Sequence, residues 1–591
     1  MAQQHRAWWK ESSVYQVYPA SFQDSTGSGT GDLKGIISRV DYLHKLGVDI
    51  VWLSPIFQSP QVDMGYDISD YKTIDPPYGD IADVGVLQDE LHARGMKLVL
   101  DLVVNHTSDQ HVWFKESRKS KDNPYRDWYI WKPAKYDSDG NRQPPNNWQG
   151  HFQGSAWEYD EATDEYYLHL FCKEQPDLNW ENPKVRKAVH EIMRFWLDRG
   201  ADGFRLDVIN FISKDQSFPD SQETVLRGHE YYACGPRLHE YLQDLGAILR
   251  EYGAFSVGEM PCVYNEQDLI KAVAADRGEL SMIFHFELWV IFPNEETERG
   301  WHPVTDKHHS MDLDHGPQGK FSWRDWTLQE LKKGVLKWQK FMYENDGWNA
   351  LYLENHDQPR SVSRFANDDP EYREASAKLI AVFLGFQAGT PFIYQGQEIG
   401  MVNVPTSWPM DEYKDIDCVN HWNLFKDTAD EEMKKELRRN YQRKSRDNAR
   451  TPMQWDAGHQ AGFTTGDSPW MRVNDNYTDI NAAAQTSNDQ SVYHCWRSVL
   501  QKRKALKDIF VYGDFELVDE QHPDVFGYRR TAATGESVMV ITNFSTKDLT
   551  WNLQGSKVKE VIVTSNGQSL EGITAGEVRL APYEALAVLV E

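Results

Sequence analysis

Four short segments of the sequence place acidic residues directly after apolar runs. They read DLVVNH (101–106), GFRLDVIN (203–210), VGEM (257–260) and ENHDQPR (354–360). One acid in such a position is more often a helix cap or part of a structural ion pair than a catalytic group. Four of them in one chain favour chemistry, because carboxyl groups that meet in a cleft can act as general acid, general base or nucleophile.

The elements around these segments alternate between strand-like and helix-like patterns over the first two-thirds of the chain. This alternation predicts an α/β fold of parallel units, and about eight such units predict a closed (β/α)8 TIM barrel. Because the carboxyl ends of barrel strands meet at one mouth, the four segments are expected to converge there. The predicted strands are 14–18, 50–53, 97–104, 203–206, 256–257, 282–286, 350–353 and 391–394, and the predicted helices are 33–46, 82–94, 185–198, 236–251 and 372–386.

Two regions depart from this rhythm and divide the chain. The stretch after the third strand is rich in Trp, Tyr, Asp, Asn and Pro and is too long for a plain loop, so it predicts an inserted subdomain over 106–180. The last stretch, 511–591, shows short alternating strands with turn signals and predicts a β-sandwich-like, antiparallel C-terminal domain. The barrel is then assigned to residues 1–105 and 181–510.

Taken together, the four acidic segments resemble the four signature regions of the alpha-amylase superfamily, glycoside hydrolase family 13. QPDLNW (175–180) resembles its fifth region, and MGYDISDY (64–71) and SRDNARTPMQW (445–455) resemble the branch of oligo-1,6-glucosidases and maltases. The resemblance covers nearly the whole chain. It implies a retaining α-glucosidase with Asp207 as the nucleophile, Glu259 as the general acid/base and Asp357 as the carboxylate that stabilises the transition state.

The charge states of these carboxyl groups follow from the chemistry that the resemblance implies. Retaining glycosidases hold two carboxyl groups about 5–5.5 Å apart, one to attack the anomeric carbon and one to protonate the leaving oxygen. Arg205 lies two residues before Asp207 and points to the same side of the strand, so it is expected to lower the pKa of Asp207. Glu259 must start protonated, so negative neighbours that raise its pKa are expected.

The resemblance also implies a closed pocket for one terminal glucose unit. Asp67 and Arg450 match the pair that grips the non-reducing end in exo-acting relatives, with Arg446, one helical turn away, as the alternative to Arg450. His106 and His356 match two histidines that hold hydroxyl groups of the same sugar. The further candidates for the wall are Tyr66, Phe152 and Phe171, and ordinary packing stays an alternative role for the two phenylalanines.

Val208, directly after the predicted nucleophile, bears on the linkage that is cleaved. In the resembling branch, valine at this position accompanies α-1,6 cleavage, and alanine or threonine accompanies strict α-1,4 cleavage, although some maltose-active members also carry valine. The expected steric effect is about 1–3 kcal/mol. We therefore expect an α-glucosidase acting on isomaltose, maltose and related oligosaccharides, with the preferred linkage and the balance of hydrolysis and transglucosylation left open.

No metal or cofactor is expected from the sequence. Histidines, cysteines and acids do not occur at the spacing of a metal site. Resembling bacterial enzymes often bind calcium in the first βα loop, but here the loop reads DSTGSGTGD (24–32) and offers two carboxylates, Asp24 and Asp32. This is a thin oxygen cage for calcium, so weak or absent binding and a structural turn are predicted.

The composition of the 591-residue chain bears on partners and location. A formal net charge of −27 disfavours nucleic acids and acidic membranes as partners and leaves small oligosaccharides as the expected ones. Five scattered cysteines and the lack of an apolar N-terminal segment or a long apolar run predict a cytoplasmic protein without a membrane span. The sequence leaves the oligomeric state unknown.

The same motifs are compatible with three other functions. A trehalose-6-phosphate hydrolase would need a basic pocket for the phosphate, and a transglucosylase would differ only at the acceptor subsites. A barrel without activity, as in the heavy chains of amino-acid transporters, would lack a complete catalytic set. The three intact carboxylates argue against that last reading.

Overall fold

The structure, a computed structural model, describes residues 5–223, 226–263, 265–285, 321, 323, 325–553, 555–567, 573–574 and 576–591. Its strands are β1 Val14–Val17, β2 Ile50–Leu53, β3 Phe57–Gln58, β4 Asp70–Ile74, β5 Lys97–Val103, β6 Trp131–Lys132, β7 Lys135–Tyr136, β8 Arg142–Gln143, β9 Trp157–Asp160, β10 Glu165–Leu168, β11 Gly203–Asp207, β12 Phe255–Glu259, β13 Met282–Phe284, β14 Ala350–Leu351, β15 Thr390–Tyr394, β16 Asp514–Val518, β17 Val525–Thr531, β18 Ser537–Asn543, β19 Leu549–Asn552, β20 Val558–Thr564, β21 Ile573–Thr574, β22 Glu577–Leu580 and β23 Ala585–Val590.

The α-helices divide between the barrel and its connections. They are α1 Leu33–Ser38, α2 Val40–Leu46, α3 Ile81–His92, α4 Val112–Ser117, α5 Pro183–Leu197, α6 His229–Tyr232, α7 Leu238–Tyr252, α8 Glu266–Val273, α9 Leu328–Glu344, α10 Ser361–Phe365, α11 Arg373–Gly385, α12 Ile416–Phe425, α13 Glu431–Lys444, α14 Asp447–Arg450, α15 Ala482–Ser487, α16 Val492–Ala505 and α17 Lys507–Phe510. None of these helices is long and apolar enough to cross a membrane.

Eight parallel strands form the central sheet, in the order β13-β12-β11-β5-β2-β1-β15-β14. A parallel bridge between Ile283 and Asn349 joins its two edges, so the sheet closes on itself. The strands are buried along their length, as expected where helices cover a parallel sheet. The predicted TIM barrel is confirmed. The strand predicted over 282–286 ends at Phe284, and Phe286 lies outside the described residues.

The barrel helices form where the sequence supplies both an apolar face and a cap. In α5, Asn182 caps the first turn, Pro183 occupies it, and the apolar residues repeat at helical spacing along one buried face. The single helix predicted over 33–46 is instead two, α1 and α2, which meet at Arg39. The Arg39 guanidinium donates to Gln23 and lies 4.1 Å from the ring centre of Trp455, and its backbone leaves the helical region.

Besides the pairs β3-β4 and β7-β8, two sets of antiparallel strands lie outside the barrel in the described part of the chain. The first, β6-β10-β9, comes between β5 and α5. The second comprises the sheets β16-β17-β18-β23-β20 and β19-β22-β21 at the C-terminal end. The predicted antiparallel β region after residue 511 is therefore confirmed. Buried Arg530 from β17 donates to the carbonyl oxygens of Phe386 and Gly513, which ties this region to the end of α11.

Candidate active site

A cavity of about 220 Å³ opens at the carboxyl ends of the barrel strands. Asp207 ends β11 and Glu259 ends the neighbouring strand β12, and both line this cavity. Asp357, a few residues beyond β14, lines it too. Three of the four acidic segments thus contribute a carboxylate to one cavity wall, as their place at strand ends predicted.

The acid of the remaining segment, Asp101, does not line the cavity, and a buried arginine, Arg205, connects it to the carboxyl groups that do. Arg205 is 2% exposed and donates to Asp101 at 2.8 Å and to Asp207 at 2.7 Å, while its other terminal nitrogen donates to Glu259. Arg205 and Asp207 share a strand face because side chains alternate along a strand. Arg205 was also a candidate for direct contact with the sugar, but it is not among the residues that line the cavity. It holds the two carboxyl groups that do line it.

The charge state of Asp207 is set by competing neighbours. Burial raises its pKa well above the ordinary value, Arg205 opposes this, and the carboxylates Glu259 and Asp101 add to the rise. Arg205 acts in the predicted direction, but burial and the negative neighbours outweigh it. The Asp207 and Glu259 carboxyl groups also interact directly, and this contact adds to the rise in the pKa of Asp207.

Asp357 is held ionised. Burial alone would raise its pKa, but His356 and the arginines Arg446 and Arg450 hold the pKa well below the usual range. Arg450 donates to Asp357 at 2.7 Å, and His356 Nε2 lies 3.0 Å from the same carboxylate. The cavity wall therefore holds one carboxyl group with a lowered pKa, Asp357, and one with a raised pKa, Asp207.

The two predicted histidines differ in position. His106 lines the cavity, and burial lowers its pKa to about 4, so it is neutral near pH 7. His356 is fully buried behind Tyr66, whose ring stacks on it at 5.2 Å and whose hydroxyl lies 2.7 Å from His356 Nε2. Tyr66 itself lines the cavity, as predicted. His356 thus contacts Tyr66 and Asp357, which form the wall.

The predicted Asp67–Arg450 pair does not form, which corrects the sequence analysis. Asp67 is fully buried and accepts hydrogen bonds from the Ser59 hydroxyl and from the amides of Val62 and Asp63, at 2.9–3.0 Å. It shapes the turn instead of reaching the sugar pocket.

The acid at the cavity is Asp63, which the sequence analysis missed. Asp63 lies 3.4 Å from Arg446, and both line the cavity. Of the two arginines named from the sequence, Arg446 lines the cavity. Arg450 instead donates to the His356 carbonyl and to Asp357. The signal was present in DMGYD, which offers two aspartates four residues apart.

Aromatic and apolar side chains complete the wall. Phe152 and Phe171 line the cavity, as predicted, and the Arg446 guanidinium lies 5.0 Å from the ring centre of Phe152. Val208 lines it as well, with a φ of 35°, a left-handed backbone that is unfavourable for a β-branched residue. This backbone directs the Val208 amide toward Glu259, at 3.4 Å. His151 also lines the wall and was not found from the sequence.

Comparison with known proteins agrees with this geometry. A model of the alpha-amylase catalytic domain matches residues 16–513. The chain belongs to the alpha-amylase family. It is 50% identical over 588 residues to an alpha-glucosidase of Schizosaccharomyces pombe, covering 98% of this chain and 97% of that protein. It is also 50% identical over 591 residues to an oligo-1,6-glucosidase of Parageobacillus thermoglucosidasius, covering 98% of each. The solved structure of a trehalose-6-phosphate hydrolase of Bacillus licheniformis has a TM-score of 0.88 at 40% identity and covers 99% of this chain and 100% of that one.

In this alpha-amylase-family chain, the buried ammonium group of Lys214 connects three segments: the loop after β11, the segment that carries Asn105, and the segment that carries Asp177. Lys214 lies seven residues after Asp207 and donates to Asn105 Oδ1 at 3.0 Å and to the Phe211 carbonyl at 2.6 Å. Its nitrogen is also 3.0 Å from Asp177 Oδ2. Neither Lys214 nor Asp177 was singled out from the sequence. Their ion pair fixes the loop after β11 against the segment that carries His106.

The first βα loop uses its two carboxylates for backbone contacts. Asp24 accepts from the amides of Thr26, Gly27 and Gly29 at 2.7–2.9 Å. Asp32 accepts from the amides of Ser25 and Gly35 at 2.7 Å. Both acids thus organise the turn and the start of α1. Over the residues that the structure describes, no group of three or more His, Cys, Asp or Glu is placed to hold a metal ion.

Proposed function

We propose that this chain is a retaining, exo-acting α-glucosidase that releases α-glucose from the non-reducing end of short α-glucosides. In this proposal Asp207 is the nucleophile, Glu259 the general acid/base and Asp357 the carboxylate that stabilises the transition state. The observation that carries it is the bridge from Arg205 to Asp207 and Glu259. Asp207 and Glu259 end the neighbouring parallel strands β11 and β12, so their carboxyl groups lie side by side, as the two groups of a retaining enzyme must.

This division of roles follows the chemistry of retaining glycosidases. As Asp207 attacks the anomeric carbon, Glu259 gives the proton to the glycosidic oxygen, and the bond to the leaving group breaks. A glucosyl ester on Asp207 results. Glu259, now ionised, takes a proton from water, whose oxygen attacks the anomeric carbon and releases Asp207. A sugar hydroxyl in place of that water would give transglucosylation.

The exo-action is inferred from Asp63 and Arg446, which line the cavity and contact each other. A carboxylate that accepts and a guanidinium that donates, 3.4 Å apart, match the hydroxyl groups at the non-reducing end of a glucose unit. Phe152 covers Arg446 on one side. Because a longer chain would have to pass through this pair, we propose that one terminal unit is bound and released.

Val208 supports a preference for α-1,6 linkages within this proposal. It lines the cavity next to Glu259, the proposed proton donor to the leaving sugar. The two methyl groups restrict the poses of that sugar, and the energetic effect of such a contact is about 1–3 kcal/mol. Acceptance of both isomaltose and maltose, with isomaltose favoured, is therefore expected.

We also propose that residues 106–180 form an inserted subdomain and residues 511–591 a separate C-terminal domain. The sheet β6-β10-β9 packs in an apolar cluster around Trp157 and Leu168 that it shares with the loop after β11, and the C-terminal sheets enclose a cluster of their own around Ile541 and Leu586. Phe152 and Phe171, which line the cavity, both come from the inserted segment. The insertion would thus supply the part of the wall that the barrel strands do not reach.

A trehalose-6-phosphate hydrolase is the second candidate, and one observation favours it. Three basic side chains, Lys337, Arg364 and Lys444, line the same cavity as Glu259. Cations of this kind are what a phosphorylated leaving sugar would require. Lys337 is 2.9 Å from Glu266, however, so part of this charge is already balanced by an acid in the same wall.

The test is glucose release from isomaltose, maltose, nigerose and trehalose-6-phosphate, with the first-formed anomer followed by proton NMR. We expect α-glucose from isomaltose and maltose, with isomaltose the better substrate. β-Glucose as the first product would refute the retaining mechanism. Preference for trehalose-6-phosphate would select the second candidate, and release of nothing from any of the four would refute both.

A further inference from the structure

The guanidinium group of Arg446 contacts three carboxylates at unequal distances. Its Nε and Nη2 atoms lie 2.8 and 2.6 Å from Asp415 Oδ1. The Asp63 carboxylate lies 3.4 Å from Nη2, and the Asp357 carboxylate lies 3.4 Å from Nη1. Within the described part of the chain, Asp415 is therefore the closest acid to Arg446, although the proposed function assigns Arg446 to the sugar together with Asp63.

The contact with Asp415 fixes the direction in which the guanidinium group faces. A guanidinium is planar and carries five N–H groups, which divide between its edges. The edge formed by Nε and Nη2 meets Asp415. The edge formed by Nη1 and Nη2 faces Asp357 and Asp63, which line the cavity. The N–H groups of this second edge are the ones that a sugar hydroxyl can reach, so the anchor at Asp415 aims them into the cavity.

The Asp415 carboxylate is itself held by the backbone around it. Asp415 is 1% exposed and caps α12, where it accepts from the amide of Asp417 at 3.1 Å. Its own amide and that of Lys414 donate to Asp447 Oδ1, at 3.0 and 2.7 Å. Asp447 directly follows Arg446 at the start of α14. The starts of the two helices are thus joined by backbone contacts, which place the carboxylate beside the guanidinium before any sugar binds.

Without the Asp415 carboxylate, the nearest acids to the Arg446 guanidinium among the described residues would be Asp63 and Asp357. The cation would then be attracted toward them, because no closer anion would oppose that movement. A direct ion pair with Asp63 would occupy the carboxylate oxygen atoms that the sugar hydroxyl groups need. Asp415 therefore keeps Arg446 and Asp63 close to each other and still able to bind a third group.

We propose that Asp415 is a positioning residue for substrate recognition, which holds Arg446 so that Arg446 and Asp63 together bind the non-reducing end of an α-glucoside. This inference rests on the proposed function, in which that end is a single terminal glucose unit. Asp415 acts through Arg446. The role does not depend on the linkage that is cleaved, because the contact is with the terminal unit and not with the leaving sugar.

The test is a double-mutant cycle on the full chain, with kcat/KM measured for isomaltose and maltose. Arg446→Met should lower kcat/KM at least tenfold. Asp415→Asn should lower it at least fivefold, mainly through KM, because the hydroxyl groups at this end are held in the ground state as well as in the transition state. In the Arg446→Met background, Asp415→Asn should change kcat/KM less than twofold, since no guanidinium is left to position.

The control variants separate positioning from folding. Asparagine and serine cap helices about as well as aspartate does, so Asp415→Asn and Asp415→Ser are expected to fold and to melt near the wild-type temperature. Asp415→Ser, which also lacks the carboxylate, should show the same rise in KM. Asp430→Asn, at the exposed cap of α13 and outside the cavity lining, is the matched control and should keep the wild-type kcat/KM.

The outcomes distinguish this inference from the proposed function. Equal effects of Asp415→Asn in the wild-type and Arg446→Met backgrounds would overturn the positioning role and leave the proposed function intact. A wild-type KM in both Asp415→Asn and Asp415→Ser would overturn it too. An Arg446→Met enzyme with wild-type kcat/KM would instead refute the binding role that the proposed function gives to Arg446, and the positioning role with it.

Discussion

The carboxylate of Asp63 is expected to support activity at the expense of stability. Burial raises its pKa from an ordinary value of 3.8 to about 6, although Arg446 and Arg450 act in the opposite direction. The folded protein therefore holds this proton more tightly than the unfolded chain does. The stability that Asp63 contributes is complete below about pH 3.8 and is lost as the pH rises through 6. We predict that Asp63→Asn increases stability at high pH and lowers activity.

The magnitudes follow from the pKa and from the proposed contact with the substrate. A rise of about two pH units corresponds to about 3 kcal/mol, so Asp63→Asn should be more stable than wild type by up to that amount at pH 8. The difference should shrink as the pH falls toward 4. Loss of a charged acceptor for a sugar hydroxyl should remove about 1.5–3 kcal/mol of transition-state binding, which lowers kcat/KM about 10- to 100-fold.

The assay combines thermal unfolding between pH 4 and 8 with kcat/KM for isomaltose and maltose. Asp75→Asn is the matched control, because Asp75 is also a buried aspartate whose pKa is raised by burial, and it lies outside the cavity lining. It should gain stability at high pH and keep its kcat/KM. An Asp63→Asn enzyme with wild-type kcat/KM, or one less stable than wild type at pH 8, would refute the reasoning.

Three further predictions concern the remaining site residues. Asp207→Asn should abolish the glucosyl-enzyme intermediate, and Glu259→Gln should slow substrates with poor leaving groups most; near-normal turnover of Asp207→Asn would disprove the nucleophile assignment. Val208→Ala should move the isomaltose-to-maltose ratio of kcat/KM toward maltose by up to about 1–3 kcal/mol, and an unchanged ratio would remove the steric argument. Lys214→Met should lower the free energy of unfolding by about 3–5 kcal/mol, because Asp177 would stay buried without its cation. Adding Asp177→Asn should restore part of the melting temperature, and no recovery would count against the ion pair.

The strand positions followed from the sequence because each barrel strand is a short apolar run between a helix and an acidic or polar turn. Ile50–Leu53 was located without error, and most other ends were within a few residues. Helix continuity was harder to predict. The pattern over 33–46 is helical throughout, and the break at Arg39 depends on contacts with Gln23 and Trp455, which lie far away in the sequence.

The positions of the carboxylates proposed as catalytic were predictable for the same reason, whereas the acid that would bind the non-reducing end was not. Asp207 and Glu259 sit at strand ends, where the period of two sets the direction of each side chain. Asp63 and Asp67 sit in a turn where Met64 and Gly65 take positive φ values of 50° and 99°. No simple periodicity applies there, so which aspartate reaches the cavity depends on a backbone geometry that the sequence does not reveal.

The role of Arg205 shows why the charge states also escaped prediction. A single arginine beside a carboxylate lowers its pKa, but Arg205 serves Asp101, Asp207 and Glu259 together. With three buried acids around one guanidinium, the cluster keeps excess negative charge even when the catalytic pair holds one proton. That excess contributes to the raised pKa of Asp207. It also favours positive charge at the anomeric carbon, and positive charge develops there in an oxocarbenium-like transition state. A substrate that becomes positive at this carbon thus relieves the repulsion among the buried acids, and this favours the ionised Asp207 that the proposed attack requires.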